Sequence, residues 1–392
     1  MEEQYKYLKI VATGDWHLGS PRLISETFYQ ELKKVLYPEL KDAHLLILTG
    51  DIYDQLLTVS SKAHKYAARI LKDLLVFSAR SGLQIRLLHG TYSHDRDQLD
   101  VFKALEVPGS RFSIVKEIFC EEIQGFKNGF SEPDVKLRVG YLPDNLSYKN
   151  SSDAVEHLKR SMTILGWTSL DLLVCHGSFE HVIPPDSGHT PPCLYSLEQF
   201  ENIVHGPLIM GHIHTPGRFR NAYYCGSFER LSHGEEEDKG FYVFTREVQS
   251  ANSWRARFVK NPFATPFITI QPHGDDIPAI TQNYVDQVDE KFPTRRGYVR
   301  VLHSNPEVRA ILHKVTSTNF PEISYSSKST GDRENISLQI TDISLETFDD
   351  VRPNKNNLGG LVYQFLEEHQ LTGNIPRETI LDYVEKLFEP ER

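Results

Sequence analysis

The stretch "YLKIVATGDWHLG" (Tyr7–Gly19) carries the architecture in miniature: a continuous apolar run breaks at Gly14 and delivers Asp15 and His17 into a loop. Apolar runs of this length, bounded by turn residues, read as strands covered on both faces. The same pattern recurs in "AHLLILTGDIYD" (Ala43–Asp54), "LQIRLLHGTYSHD" (Leu83–Asp95), "LDLLVCHGSFE" (Leu170–Glu180) and "GPLIMGHIHTP" (Gly206–Pro216). Helical patterns lie between them. The clearest is "SSKAHKYAARILKDLLVFSARSG" (Ser60–Gly82), with serine at the cap, apolar residues at spacings of three and four, and Gly82 past the end. A second runs from about Ser152 to Leu165. Strands alternating with helices predict an α/β layered domain whose strand ends converge on one edge, where ligands bind.

Each exit places Asp or His at that edge: Asp15 and His17, Asp51, His94 with Asp95, His176, and His212 with His214. A single D-x-H or H-x-H arises by chance, and a histidine beside a strand is more often a core or surface group than a ligand. The series of five shifts the balance. Gathered at one edge, these carboxylates and imidazoles, with few lysines or arginines nearby, are costly to pack without a cation. Carboxylate and imidazole without thiolate suit Mn²⁺, Fe²⁺, Zn²⁺ or Co²⁺. The set is too large for one tetrahedral ion, so two ions sharing a bridging carboxylate is the economical arrangement. Paired ions about 3.5–4 Å apart suit in-line attack at phosphorus.

The chain has 392 residues, enough for a large domain and at least one smaller one. Its start lacks a continuous hydrophobic segment and no later run reaches bilayer length, so a cytoplasmic location is expected, with no membrane partner. Cys120, Cys175, Cys193 and Cys225 are unevenly spaced without a C-x-x-C pair, which offers neither a disulfide framework nor a thiolate zinc site. The formal net charge of −10 argues against a protein that coats nucleic acid by bulk electrostatics. A nuclease remains open, since bound cations and a local basic surface suffice; "WRARFVK" and "PTRRGYVR" are candidates for that surface, or ordinary solvated faces. After "KGFYVFTREV" the Pro-rich "KNPFATPFITIQPHGDDIPA" marks a boundary. Beyond it, "GYVRVL" and "NISLQI" read as strands and "NPEVRAILHKV" as a helix of a small α+β unit. "RPNKNNLGG" reads as a linker to two amphipathic helices, "LVYQFLEEHQ" and "PRETILDYVEKLF".

The ordered series D-x-H, G-D-x-x-D, a G-(N)-H-D-type loop, H-G and G-H-x-H resembles the calcineurin-like metallophosphoesterase superfamily from Asp15 to His214. The resemblance implies that Asp15, His17, Asp51 and His214 hold one metal and Asp51, His176 and His212 the second, with Asp51 bridging. It implies that His94 meets the scissile phosphate, that Asp95 orients it, and that manganese is the metal. Asp54 completes the second motif and reads as structural. The third loop departs from the pattern: "GTYSHD" is two residues longer than the usual Gly-Asn-His-Asp, so Ser93 stands where the Asn ligand is expected. Thr91, a backbone carbonyl or a water are the alternatives there.

"YYCGSFERLSHGEEEDKGFYVF" (Tyr223–Phe244) resembles, more narrowly, the segment after the last metal motif of SbcD-type double-strand-break repair nucleases, including phage-encoded ones. That resemblance implies a metallophosphoesterase β-sandwich flanked by helices at residues 1–265, a DNA-capping domain at 266–350 and a helical tail at 351–392. It also implies a homodimer that processes DNA ends with an SMC-like ATPase of the SbcC type docked on the tail. The tail's apolar stripes serve equally for packing within the chain. Two other readings stay open: a phosphodiesterase or phosphatase acting on nucleotides or phosphoproteins, and a catalytically weakened scaffold subunit.

Overall fold

The computed structural model describes residues 7–105, 107–124, 136–144, 150–182, 194–248, 253–274 and 276–330. Strands β1 (Tyr7–Thr13), β2 (Leu45–Leu48), β3 (Gln84–Leu88) and β4 (Arg111–Val115) are parallel neighbours. β5 (Phe119–Ile123), β6 (Leu137–Leu142) and β7 (Leu172–His176) begin a second sheet, and β8 (Ser178–Phe179) pairs separately with β9 (Leu194–Tyr195). β10 (Leu208–Gly211), β11 (Gly217–Phe219) and β12 (Ala222–Tyr224) complete the second sheet in the order β11-β12-β10-β7-β6-β5. β13 (Gly240–Glu247) and β14 (Arg255–Lys260) return antiparallel to the first, whose order is β14-β13-β1-β2-β3-β4.

Strand alternation shows how the sheets are layered. Leu8, Ile10 and Ala12 of β1 and Leu45 and Ile47 of β2 share one core with Leu172 and Val174 of β7 and Ile209 of β10. The intervening Val11, Leu46 and Leu48 pack with Ile70, Leu71 and Leu74 in a second core. Leu173, Cys175, Leu208 and Met210 pack with Ala154, Leu158 and Met162 in a third. The two sheets therefore face each other and each carries helices outside, which is why the central strands β2, β7 and β10 are continuous apolar runs up to their exits. Burying one such Leu or Ile side chain stabilises by about 1.5–3 kcal/mol.

The outer helices follow their local signals. Lys62–Ser81 starts where the Ser61 hydroxyl accepts from the His64 amide at 3.1 Å, and stops at Gly82, whose φ of 78° suits glycine. Ser151–Ile164 starts where the Asn150 side chain accepts from the Asp153 amide at 3.0 Å. Cys120, Cys175 and Cys225 are buried in the cores, in line with a chain that uses cysteine as a small core residue.

A third sheet holds β15 (Phe267–Ile270), β16 (Gly297–Leu302) and β17 (Ile323–Lys328), parallel and in that order. Helices Ile277–Lys291 and Pro306–Asn319 make the crossovers and close a separate core around Tyr284, Val299, Val301 and Leu312. The expected strand "NISLQI" and the expected helical tail lie outside the described residues. No described helix is long and apolar enough to cross a membrane.

Candidate metal centre

The C-terminal ends of β1, β2, β3, β7 and β10 meet where the two sheets abut. Cross-sheet hydrogen bonds lock the meeting: the His212 amide donates to Asp15 Oδ1 at 2.9 Å, and His176 Nδ1 donates to the Thr49 carbonyl at 2.8 Å. Close approach demands glycine here. A Cβ on Gly90 would stand 2.2 Å from both the amide nitrogen and Oδ1 of Asp51, and one on Gly211 would meet the Thr49 carbonyl at 2.6 Å. Asp15, His17, Asp51 and His212 adopt positive φ of 49°, 44°, 50° and 85°. Such backbone is sparsely populated outside glycine and persists where surrounding structure over-determines it.

Asp15, His17 and His214 form one group of convergent donors. His17 Nε2 lies 3.0 Å from His214 Nε2, and Asp15, fully buried, has an Oδ2 that accepts no hydrogen bond from the described residues. An orphaned buried carboxylate oxygen beside two imidazole nitrogens is unfavourable alone and favourable around a cation. Asp51, His176 and His212 form a second group. Because His176 Nδ1 is engaged by Thr49, Nε2 is the nitrogen that faces Asp51 Oδ2, at 3.2 Å. The same Oδ2 lies 3.9 Å from His17 Nε2. One carboxylate oxygen thus stands between the two groups.

Charge in this cluster is unbalanced without a cation. Burial pushes the Asp15 carboxyl up to about 6. Burial also works against the His176 imidazolium, yet the Asp51 carboxylate overrides it and lifts the imidazole to about 10. His212, buried and beside His176, is pushed down to about 3. The Asp51–His176 pair holds a proton where the donor set suits a divalent ion.

The third exit sorts its residues. Thr91 donates its amide to Asp51 Oδ1 at 2.6 Å and its hydroxyl to Asp51 Oδ2 at 3.2 Å, and that hydroxyl lies 3.3 Å from His176 Nε2. Ser93 Oγ is buried and has no hydrogen-bond partner among the described residues. Of the alternatives for the altered loop, Thr91 is the side chain at the second group. His94 lies with His17 and Asp54 in a third group, its ring centroid 4.7 Å from that of His17, and its Nδ1 donates to the Asp54 carbonyl.

Asp95 faces backbone. Its Oδ2 accepts from the amides of Asp51 at 3.0 Å and Gly90 at 2.8 Å, and its Oδ1 from Ile52 at 2.9 Å and Tyr53 at 3.2 Å. The Asp54 carbonyl, rather than the Asp95 carboxylate, is what orients the His94 ring.

Two contributors are not evident from the motifs alone, although both fall in the Tyr223–Phe244 stretch. Glu235 Oε1 lies 3.2 Å from His214 Nδ1, which leaves Nε2 for His17 and the first group. Burial opposes the His214 imidazolium, but Glu235 outweighs it and raises the imidazole. Lys239 is fully buried, 2.9 Å from Glu235 and 2.8 Å from Glu237, and it donates to the His214 carbonyl at 2.9 Å. Within "EEEDK", Glu235, Glu237 and buried Lys239 therefore form a charge network at the last exit, while Glu236 and Asp238 are exposed.

No family model matches the chain. Exonuclease subunit 1 of Enterobacteria phage T4 is 23% identical over 359 residues, covering 86% of this chain and 96% of that protein. The SbcD subunit of the SbcCD nuclease of Staphylococcus epidermidis is 22% identical over 268 residues, covering 61% of this chain and 66% of that protein. A solved structure, the GAP50 anchor of the Plasmodium inner membrane complex, gives a TM-score of 0.40 at 16% identity over 65% of this chain and 85% of its own, and adds nothing to the assignment. Both relatives are nuclease subunits, one of them encoded by a phage, and the similarity points toward SbcD-type nucleases.

Proposed function

We propose that the chain is the nuclease subunit of a DNA end-processing complex, hydrolysing phosphodiesters with two manganese ions and working with an SMC-like ATPase of the SbcC type. The carrying observation is the position of Asp51 Oδ2, 3.2 Å from His176 Nε2 and 3.9 Å from His17 Nε2, so that two donor groups meet at one oxygen. The donor set fits: Asp15, His17, Asp51 and His214 would hold one ion, and Asp51, His176 and His212, with Thr91 beside them, the other. Such ions supply Lewis-acid activation of water and charge stabilisation at the phosphoryl oxygens.

The chain's own residues do the rest. Thr49 and Glu235 fix the ring orientations of His176 and His214, each leaving Nε2 toward the cluster. His94, its Nδ1–H tied to the Asp54 carbonyl, would as the imidazolium give its Nε2 proton to the 3′ leaving oxygen and remain the neutral Nδ1–H ring. Asp95 holds the Asp51 loop through the amides of Asp51, Ile52 and Tyr53 and ties it to its own exit through Gly90, so the Asp51 carboxylate is placed before substrate arrives. Residues 266–350 are the DNA-capping domain of this reading and 351–392 the ATPase-docking tail. The complex is a homodimer acting in the cytoplasm.

The test is degradation of an end-labelled linear duplex by the purified chain in Mn²⁺ and in Mg²⁺, beside His94→Ala. Cleavage that requires Mn²⁺ and is lost in the variant is expected. Hydrolysis of mononucleotides or phosphopeptides with intact duplex would favour the phosphatase reading. A chain that binds at most one Mn²⁺ and cuts nothing, with or without its ATPase, would be a scaffold.

A further inference from the structure

The third sheet has an apolar face and a polar one. Ile268, Ile270, Val299, Val301 and Ile323 pack with the two crossover helices. In the observed register, Tyr298 pairs with Ser324, Arg300 with Ser326 and Leu302 with Lys328, so Tyr298, Arg300, Ser324, Ser326 and Lys328 are placed together on the opposite face. Parallel sheets are usually covered by apolar layers on both sides. Here the second face meets Arg22, from the loop after the first exit, and His233, from the segment that positions His214, around a cleft of about 210 Å³.

The cleft collects positive charge without an acid. Arg22, Arg300 and Lys328 line it, and none of its described lining residues is Asp or Glu. Arg300 is partly buried, has no ion pair among the described residues, and is pushed down by burial and then by Arg22. Arg22 is held in place by donating to the Leu231 carbonyl at 3.2 Å and by lying 5.9 Å from the Phe267 ring centroid. The Tyr298 hydroxyl donates to the Arg22 carbonyl at 3.3 Å, joining the two walls.

A separate observation points to a missing partner. His233 is 5% exposed and its Nδ1 is buried with no hydrogen-bond partner among the described residues, and the residue lines the same cleft. Burial, then Arg300, Arg22 and Lys328, push this imidazole down to about 3, so it is a neutral ring with one N–H to place. Convergent guanidinium, hydroxyl and imidazole donors suit a tetrahedral oxyanion.

We infer that this cleft is a phosphate-binding site apart from the metal centre, which takes a backbone phosphate of the DNA whose scissile phosphate is at the metals. The inference rests on the nuclease reading for its ligand source, and on the cleft alone for its ligand chemistry. Arg300 belongs to "PTRRGYVR", so a stretch that otherwise reads as a solvated face contributes its last arginine to a built site.

The experiment uses the full chain in EDTA, so that no DNA is cut. Binding of a fluorescein-labelled duplex is followed by anisotropy across a salt series, and binding of inorganic phosphate by calorimetry. Arg300→Ala and Arg300→Lys are compared with Arg160→Ala, a control at an exposed helix position paired with Glu156. Expected is duplex binding weakened about tenfold in Arg300→Ala, with the salt slope reduced by about 1, partial recovery in Arg300→Lys and no change in Arg160→Ala. If wild type binds phosphate through Arg300 but does not bind duplex, the anion site stands with a free phosphate as its source, and the DNA reading is what fails. If duplex binds with equal affinity and slope to wild type and Arg300→Ala, the cleft is not on the DNA path and the inference is overturned while the nuclease reading survives. If neither ligand depends on Arg300, the site does not exist. Equal melting temperatures of the variants and wild type establish that any loss is local.

Discussion

Asp95→Asn separates two roles for the buried acid of the third exit. The carboxylate is fully buried and accepts four amides, two on each oxygen: Asp51 and Gly90 on Oδ2, Ile52 and Tyr53 on Oδ1. Asparagine keeps the shape but turns one oxygen into an NH₂ group, which faces two N–H donors whichever way the amide is flipped. Two charge-assisted hydrogen bonds are lost and two buried amides are left unpaired. At about 1.5–3 kcal/mol for each bond to a charged group, the cost is about 3–6 kcal/mol. For a domain of this size that corresponds to a fall in Tm on the order of 10 °C. Calorimetric melting in EDTA, free of any metal contribution, measures it. The reasoning would be falsified if Asp95→Asn melted within about 2 °C of wild type. Loss of DNA cleavage in such a stable variant would mean that Asp95 acts through His94 and not through the loop.

Three further outcomes are expected. Thr91→Val removes the hydroxyl near Asp51 Oδ2 and His176 Nε2 and weakens the second Mn²⁺ by about tenfold at the lower end of what partners of metal ligands contribute, whereas Ser93→Ala leaves both ions unchanged; calorimetric titration that ranks them the other way would assign the ligand to Ser93. Glu235→Gln releases His214 from its orienting carboxylate and lowers affinity at the first group by about 10–100-fold; an unchanged Mn²⁺ isotherm would show that Glu235 serves only Lys239. Cation binding at Asp51 displaces the proton that Asp51 keeps on His176, whose pKa is lifted to about 10, so affinity falls as pH falls and binding releases protons. Titration in buffers of different ionisation enthalpy reads that proton count, and a buffer-independent heat would contradict it.

Much of the molecule is legible in the sequence because its information is local. Continuous apolar runs identify strands covered on both sides, and β1, β2, β3, β7 and β10 fall within the five quoted runs. Ser61 and Gly82 mark their helix at both ends, since capping is a matter of a few neighbouring residues. The Ile277–Lys291 helix is less legible: its N-terminal side is a Pro- and Gly-rich stretch, and only Ile280, Tyr284 and Val288 are buried along it. Its stability comes from docking on the third sheet, which no local signal reports.

The third exit shows the limit most clearly. Adjacency in the chain puts Ser93 where a ligand is expected, but the side chain of this exit that hydrogen-bonds Asp51 and lies beside His176 is Thr91, just before the one-turn helix Tyr92–Asp95. Which side chain faces Asp51 depends on backbone direction over a few residues, and composition is blind to it. The role of Asp95 is hidden for a similar reason, because its partners are amides from a loop some forty residues earlier in the chain.

By itself, then, the sequence determined the five strands that lead to the exits, the two capped helices between them and the residue types at the exits, and hence a candidate cation centre built from carboxylate and imidazole. Those follow from hydrophobic periodicity and from donor chemistry, which belong to the residues themselves. Only the tertiary structure decided that Asp51 Oδ2 stands between two groups, that Glu235 and Lys239 hold the last exit, and that Arg22, His233 and Arg300 surround one cleft. Each of these depends on segments distant in the chain being packed within a few ångströms, and the free energy that brings them there is spread over the cores and not written at any one position.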